Sequence, residues 1–350
     1  MSRSREALSR AQGQGRLRYR TQPVWIPPML ATLSDRAPTG GGWVYEPKLD
    51  GVRVLAYVTG GSVRLLSRNR RQVEGGYPEL VEALSLAVRG DAVLDGEIVA
   101  PDPSTGLSSF ARLQQRMHLR DTTRVARTGV SVELYLFDCL FYEGIDLTGL
   151  PLLDRKKVLR DVVWYDGRVH FTPYRTTGSA AMYRDACAKG AEGIIAKRAE
   201  STYVSGRSTD WLKIKCVLQQ EFVIGGYTAP QGAREHLGAL LVGYYDEAGG
   251  LRFAGKVGTG YDQDTLEMLR RRLTPLHRRT SPFAPGPVPA GEVQWVTPKL
   301  VAQIGFGEWT GAGLLRHPRY LGLRDDKAAR EVRREEPSGG GGAVRRRDGS

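Results

Sequence analysis

The chain changes character near residue 217, and that change limits its fold more than any other feature. Ahead of it, strand signals alternate with helices. Two β-rich runs, VRVLAYV and SVRLLS, flank a TGG turn between residues 52 and 67 and predict a hairpin. Further strands are expected at 92–100 (AVLDGEIVA), 132–141 (VELYLFDCLF) and 193–198 (GIIAKR). PELVEALSLAV spaces Leu80, Val81, Leu84 and Val88 along one helical face, and GSAAMYRDACAKG predicts a helix ended by Gly190. Beyond 217, EFVIGGYT, LGALLVGYY, LRFAGKVGTGY, EVQWVTP and KLVAQIGF read as short strands divided by turn residues. One helix sits among them, capped by Asp262, with Leu266, Leu269 and Leu273 on one face. The pattern is α+β, with a mixed first domain and a small closed β-barrel after a boundary at 217–221.

A length of 350 residues suits two domains. Hydrophobic residues at 41% and charged residues at 25% exclude wholesale disorder. Lys and Arg number 51 against 38 Asp and Glu, a formal charge of +13 that points to a polyanionic partner. No apolar run of membrane-spanning length and no signal-peptide block is present, so no membrane association is expected and the chain is read as cytoplasmic. Residues 1–22, rich in Arg and Gln, are expected to form a mobile basic arm, and 331–350, with SGGGGAVRRRDGS after Pro337, a flexible tail. Cys139, Cys187 and Cys216 form no CxxC pair and are read as buried thiols. The five histidines show no metal-ligand spacing, and Gly40-Gly41-Gly42 lacks the GK[ST] of a P-loop. Trp295 and Trp309 are expected in the core or rim of the second domain.

The stretch Glu46-Pro47-Lys48-Leu49-Asp50-Gly51-Val52-Arg53 carries the clearest chemical signal. A lysine amine can act as a nucleophile once neighbouring charges help it lose its proton. KxDG alone suits a solvated turn equally well. Downstream, however, Ser67-Arg68-Asn69, Leu94-Asp95-Gly96-Glu97, Leu136-Phe137-Asp138, Glu192 to Arg198 (EGIIAKR) and Trp211 to Lys215 (WLKIK) follow in order. In a WLKIK strand Lys213 and Lys215 point to the same face, so two ammonium groups can converge on one phosphate.

Together these motifs resemble those of the covalent nucleotidyltransferases: ATP-dependent DNA ligases, RNA ligases and messenger-RNA capping enzymes. PPMLAT (27–32), FARLQQRMH (110–118), STYVSGRSTDWLKIK (201–215) and the run from Trp295 to Lys327 are similar to bacterial ligase-D-type DNA ligases, the ligase module of non-homologous end joining. The resemblance spans about residues 26–330. It implies an ATP-grasp-like adenylation (nucleotidyltransferase) domain at 23–217 and an OB-fold domain at 218–330. Lys48 then attacks the α-phosphate of ATP, AMP passes to a 5′-phosphate at a DNA break, and the 3′-hydroxyl displaces it. Glu46 is expected to read the adenine amino group, Phe137 to stack on the base, and Glu97 to hold the ribose. Glu192, with Glu97, is expected to bind Mg²⁺ or Mn²⁺. Lys213 and Lys215 would contact the α-phosphate, and Arg53 and Arg68 the nucleotide and the 5′-phosphate. Asp326 and Lys327 belong to a last motif that closes over pyrophosphate, which implies a hinge at 216–221.

Two departures stand out against that resemblance: Gln303 where a Glu is usual, and Gly305 and Gly307, which loosen a strand. The implied partners are duplex DNA with nicks or ends and a Ku-type end-binding protein, for a monomeric enzyme associated with the nucleoid. The chain leaves no room for primase-like polymerase or phosphoesterase modules, so a polymerase or nuclease is expected to be separately encoded. The competing readings are an RNA ligase or GTP-dependent capping-type enzyme, and a non-catalytic end-binding scaffold, which would be expected to have lost the nucleophile or the paired lysines, whereas Lys48, Lys213 and Lys215 are all present.

Overall fold

The computed structural model describes residues 3–13, 15–117, 119–230, 237–286, 288 and 292–335. The first part of the chain forms α1 (Arg3–Gly13), β1 (Met29–Leu33), β2 (Trp43–Pro47), β3 (Val52–Thr59), β4 (Ser62–Ser67), α2 (Pro78–Ala87), β5 (Ala92–Val99), β6 (Glu133–Tyr142), α3 (Leu152–Val162), α4 (Ser179–Ala188), β7 (Gly193–Arg198) and β8 (Gly206–Lys215). Strands β1, β8, β7 and β2 make one sheet in that spatial order, and β6, β5, β3 and β4 form the body of another.

Alternation along β3 explains how the layers stack. Val52, Val54, Ala56 and Val58 face Leu80 and Leu84 of α2 and Val158, Leu159 and Val162 of α3. Leu55 and Tyr57 point the other way and meet Met29, Phe137 and Trp211 between the two sheets. The hairpin is as expected, with Thr59 opposite Ser62. Pro78 opens α2 at a position where a missing N–H costs nothing.

The described residues of the segment expected as a mobile arm are instead tied down. In α1, Leu8 and Ala11 lie three apart and so share a face, which packs into the core that contains α3. Strand Arg18–Tyr19 pairs with Ile145–Asp146, and the Gln22 side chain donates to Val58 O (3.2 Å) and Ala92 O (3.1 Å). Basic composition suggested solvation, but a few apolar residues at helical spacing suffice to dock the segment.

Two of the three cysteines also differ from expectation. Cys139 is a free buried thiol, whereas Cys187 and Cys216 form a disulfide with Cα atoms 5.1 Å apart. Met182, Tyr183 and Ala186 of α4 lie over Ile194 of β7 and Ile214 of β8, which brings the helix end to the chain leaving β8. The bridge spans 29 residues, so its loss should cost about 3.6 kcal/mol by the loop-closure argument. Peptide mapping without reductant should recover the Cys187–Cys216 pair, and urea unfolding with and without reductant should differ by that amount. Recovery of three free thiols would refute the pairing.

Cys216 and Val217 lead from β8 into the second part, which comprises β9 (Leu218–Thr228), β10 (Leu240–Tyr245), β11 (Leu251–Val257), α5 (Gln263–Leu273), β12 (Val293–Val296), β13 (Val301–Phe306) and β14 (Arg319–Leu323). β9 is the spine of this sheet. One edge pairs with β10, and the other pairs first with β13 and then with β12. The sheet wraps a core of Phe222, Ile224, Leu240, Val242 and Ile304, roofed by Leu266, Leu269 and Leu273 of α5. The Asp262 side chain accepts from Thr265 N–H at 2.8 Å, the expected cap. Tyr320 N–H donates to Thr259 O, which joins β14 to the chain leaving β11. β13, where Gly305 predicted a loose strand, is buried from Val301 to Phe306 and paired on both edges. Trp309 packs against Phe222, Tyr244 and Phe306. Trp295 packs against Phe283.

Of the stretch expected as a flexible tail, residues up to 335 are anchored: Ala329–Glu331 is a 3₁₀ turn and Val332 is buried against the barrel. The Gly- and Arg-rich remainder, 336–350, lies outside the described residues. No helix among the described residues is long and apolar enough to cross a membrane.

Candidate active site

Glycine lets the lysine loop pass close to its neighbours. A β-carbon at Gly51 would lie 2.1 Å from Ile98 O, so the turn from β2 into β3 can approach β5 this closely only without a side chain. The loop is pinned at three points: Lys48 N–H donates to Gly193 O (2.9 Å), Asp50 N–H to Ser108 Oγ (2.9 Å), and Phe110 N–H to Asp50 Oδ2 (3.2 Å). These bonds present the Lys48 ammonium to Glu192, with Nζ 2.5 Å from Oε2.

Strand register supplies the surrounding groups. Glu46, Ile195 and Lys213 stand opposite one another across β2, β7 and β8, and Gly193 stands opposite Lys215. With period two along each strand, Glu46, Lys197, Lys213 and Lys215 share one face. Gly193 has φ of +142°, and a β-carbon there would lie 2.0 Å from Ile214 O, so this crossing also requires glycine. The facing sheet contributes Arg53 and Glu97, directly opposite each other on β3 and β5, and Phe137 of β6.

The two sheets and the second domain enclose a cleft of about 210 Å³. It brings together Glu46, Lys48, Arg53, Arg68, Glu97, Phe137, Glu192, Lys213 and Lys215, with Lys327 reaching in from the second domain. Lys327 Nζ lies 3.2 Å from Glu221 Oε2. Asp326 does not line this cleft. Its carboxylate is engaged by Arg324 (2.9 and 2.8 Å), and it borders a neighbouring cavity of about 480 Å³.

Several side chains carry partners that the sequence did not reveal. Both Glu46 oxygens are ion-paired, to Lys156 at 2.5 Å and Lys197 at 2.6 Å. The Arg53 fork holds Asp95 with contacts of 2.5 and 2.6 Å, and its guanidinium lies 4.7 Å from the Phe137 ring centre. Lys197 Nζ sits 4.2 Å from the same ring centre and 4.1 Å from that of Trp211. Arg324 stacks over Phe110 at 4.5 Å, across the domain boundary. Gln303 lines the cleft, and its buried Oε1 has no hydrogen-bond partner among the described residues. The signal for Lys197 lay inside EGIIAKR, two residues beyond Ile195 on the same face. Lys156 and Arg324 left no comparable mark.

Burial sets the charges in the cleft. It pushes the Glu97 carboxyl up to about 8, against the opposing pull of Arg53 and Lys48. Burial and then Glu192 raise Asp50 to about 6. Lys197 is pushed down to about 8 by burial despite Glu46, and Lys213 likewise despite Glu335. Lys48 goes the other way: burial opposes its charge, but Glu192 overcomes that and holds it as an ammonium.

No group of three or more His, Cys, Asp or Glu that could hold a metal occurs among the described residues, so a protein-only cage is absent there. Glu97 and Glu192 nevertheless suit a hard dication that takes its remaining ligands from phosphate and water. Glu97 is half-buried and makes no ion pair among the described residues, which leaves its oxygens available.

Residues 28–215 match the family model described as ATP dependent DNA ligase domain, and 233–327 that described as ATP dependent DNA ligase C terminal region. The chain is 41% identical over 327 residues, 91% of its length, to the multifunctional non-homologous end joining protein LigD of Pseudomonas aeruginosa. It is 40% identical over 318 residues, 89% of its length, to the multifunctional non-homologous end joining DNA repair protein LigD of Mycobacterium tuberculosis. These matches cover 37% and 40% of the two proteins, so the chain spans about two fifths of the length of these relatives. Among solved structures, a mycobacterial DNA ligase D complexed with ATP and MES matches with a TM-score of 0.61 at 36% identity, covering 88% of this chain and 98% of that one.

Proposed function

The chain belongs to the ATP-dependent DNA ligase family, and from that premise we propose that it seals breaks in duplex DNA through an AMP carried on Lys48. The observation that carries the reading is the Lys48–Glu192 contact, set in one cleft with Lys213 and Lys215. As a neutral amine, Lys48 Nζ attacks the α-phosphorus of ATP; a P–N bond forms, the α–β anhydride breaks and pyrophosphate leaves. Glu192 is the group placed to receive the lysine proton. A 5′-phosphate oxygen at the break then attacks the same phosphorus and frees Lys48. Finally the 3′-hydroxyl attacks the 5′-phosphorus and AMP departs. Each step is a displacement at phosphorus, where positioning and charge neutralisation dominate.

Lys213 and Lys215 hold the α-phosphate and Phe137 stacks on adenine. Glu46 stays on the adenine side, with Lys156 and Lys197 keeping it ionised. Burial alone would raise the Glu46 carboxyl, but the two lysines outweigh it and hold it below the usual carboxylate range. Arg53, its fork already spent on Asp95, braces Phe137, which leaves Arg68 for the 5′-phosphate. Lys327 meets pyrophosphate in the closed state, and Asp326 acts through Arg324 by fixing that segment. Glu97 and Glu192 are the residues that would hold Mg²⁺ or Mn²⁺, which when bound neutralises phosphate charge. Glu97 also faces the ribose.

The relatives' names favour non-homologous end joining; action at the nucleoid with a Ku-type partner bringing the ends is part of the same proposal, and the charge of +13 suits a duplex. Incubation with α-labelled ATP or GTP and metal, followed by a chase with nicked duplex DNA, tests the proposal. ATP should label the protein, GTP should not, and the chase should convert the label to free AMP with sealed product. A GTP adduct that nicked DNA does not discharge would replace the proposal with capping chemistry. A preparation shown free of bound AMP that forms no adduct would leave an end-binding scaffold.

A further inference from the structure

Glu335 reaches from the second domain into the cleft and ends between the two strand lysines. Its Oε1 lies 2.5 Å from Lys213 Nζ and its Oε2 3.0 Å from Lys215 Nζ. One oxygen on each ammonium is how two non-bridging oxygens of a phosphate would divide the same pair. The segment that delivers it is fixed at several points. Val332 is 1% exposed, and its carbonyl accepts from Tyr245 N–H at 2.9 Å. The buried Gln220 side chain clamps both ends of the next step, donating to Arg333 O (2.8 Å) and accepting from Glu335 N–H (2.9 Å). Arg334 lies 4.5 Å over Trp309.

We propose that residues 332–335 form an autoinhibitory strap whose terminal carboxylate occupies the phosphate position between Lys213 and Lys215, so that ATP must displace Glu335 before Lys48 is adenylated. This rests on the cleft being the ATP site. The two anions cannot share the position: with Glu335 seated, both ammonium charges are matched, and an incoming polyphosphate meets a carboxylate at contact distance. Glu335 pairs with Lys213 and Lys215, whereas Lys48 pairs with Glu192, so the strap acts on the apparent affinity for ATP rather than on the transfer itself. A strap closed in about nine of ten molecules raises the apparent KM about tenfold. Displacement also releases a tie between the domains, because Lys213 and Lys215 stand on β8 and Glu335 follows the barrel. Binding of the first substrate is thereby coupled to freeing of the second domain.

The test is the rate of adduct formation on the full chain as a function of α-labelled ATP concentration, for wild type, Glu335→Gln, Gln220→Ala and Glu331→Gln. Glu335→Gln removes the charge at constant shape, and Gln220→Ala loosens the strap while keeping its carboxylate. The exposed Glu331 serves as control. The KM for ATP should fall about tenfold in Glu335→Gln and fall also in Gln220→Ala, with the saturated rate within about twofold of wild type. Glu331→Gln should match wild type. A wild type that forms the adduct, with Glu335→Gln showing an equal or higher KM, overturns the strap alone. Absence of adduct from ATP in all four proteins overturns the ligase reading and the strap with it.

Discussion

Lys48→Arg is expected to abolish the covalent adduct as completely as Lys48→Ala, and to lower sealing of ordinary nicks by about 10⁴-fold or more. The arginine variant is the sharper of the two. It keeps a positive charge opposite Glu192, the partner 2.5 Å from Lys48 Nζ, and so preserves the ion pair. A guanidinium does not give up its proton in a protein, so it cannot supply the lone pair that attacks phosphorus. If Lys48 served only as a counter-ion, arginine would rescue it. Intact-protein mass spectrometry after incubation with ATP and metal separates the cases: AMP on wild type and none on either variant. The last displacement uses no lysine nucleophile, so both variants should still seal a nick whose 5′-phosphate already carries AMP, within about tenfold of wild type. A variant that retains the adduct would sink the assignment of Lys48, and one that fails on the pre-adenylated nick would show that the lysine serves the last step as well as the first two.

What the sequence disclosed and what it concealed divide along a physical line. Lys48, Asp50 and Gly51 were legible because a short loop puts consecutive residues to one task. Lys213 and Lys215 were legible because strand alternation fixes their common face without any tertiary information. The Asp262 cap and the Leu266, Leu269 and Leu273 face were local for the same reason. The rest depended on which elements lie against one another. The Cys187–Cys216 bridge needs α4 laid over β7 and β8. The burial of Glu46 between Lys156 and Lys197 needs α3 packed behind the sheets. Docking of α1 hung on two apolar side chains in a basic segment, and Asp326 turned from the cleft because Arg324, two residues away, captured its carboxylate. Glu335 was hidden furthest. It stands in a stretch whose composition reads as a tail, and its partners lie more than a hundred residues upstream.

Glu46→Ala should cost about 3–5 kcal/mol of stability, read by urea unfolding of the full chain at pH 7. The reason lies in what the carboxylate leaves behind. Lys156 and Lys197 have side chains only 1% and 3% exposed, and each holds one Glu46 oxygen. Lys156 keeps a bond to Phe137 O at 2.9 Å, and Lys197 keeps the Phe137 and Trp211 faces. Two buried ammonium groups then lose the carboxylate each was paired to, and Glu46→Gln should fare little better because an amide carries no charge. The pH dependence gives the prediction its sign. Glu46 is held below its ordinary 4.5, so its contribution is full above that value and is lost as the pH falls through the depressed one. Lys197 is already pushed down from 10.5 to about 8 by burial, and it falls further once Glu46 is gone. A lysine so lowered costs stability below its folded value and ceases to do so as the pH rises towards 10.5. The gap between wild type and variant should therefore be widest near neutrality and narrow on both the acid and the alkaline side. A gap that stays flat from pH 4 to pH 10 would remove the charge argument and leave Glu46 as packing alone. Loss of the Lys197 charge would also remove the cation from the Phe137 face. The same substitution that unsettles the fold should thus weaken the adenine platform, joining stability and nucleotide binding in one buried triad.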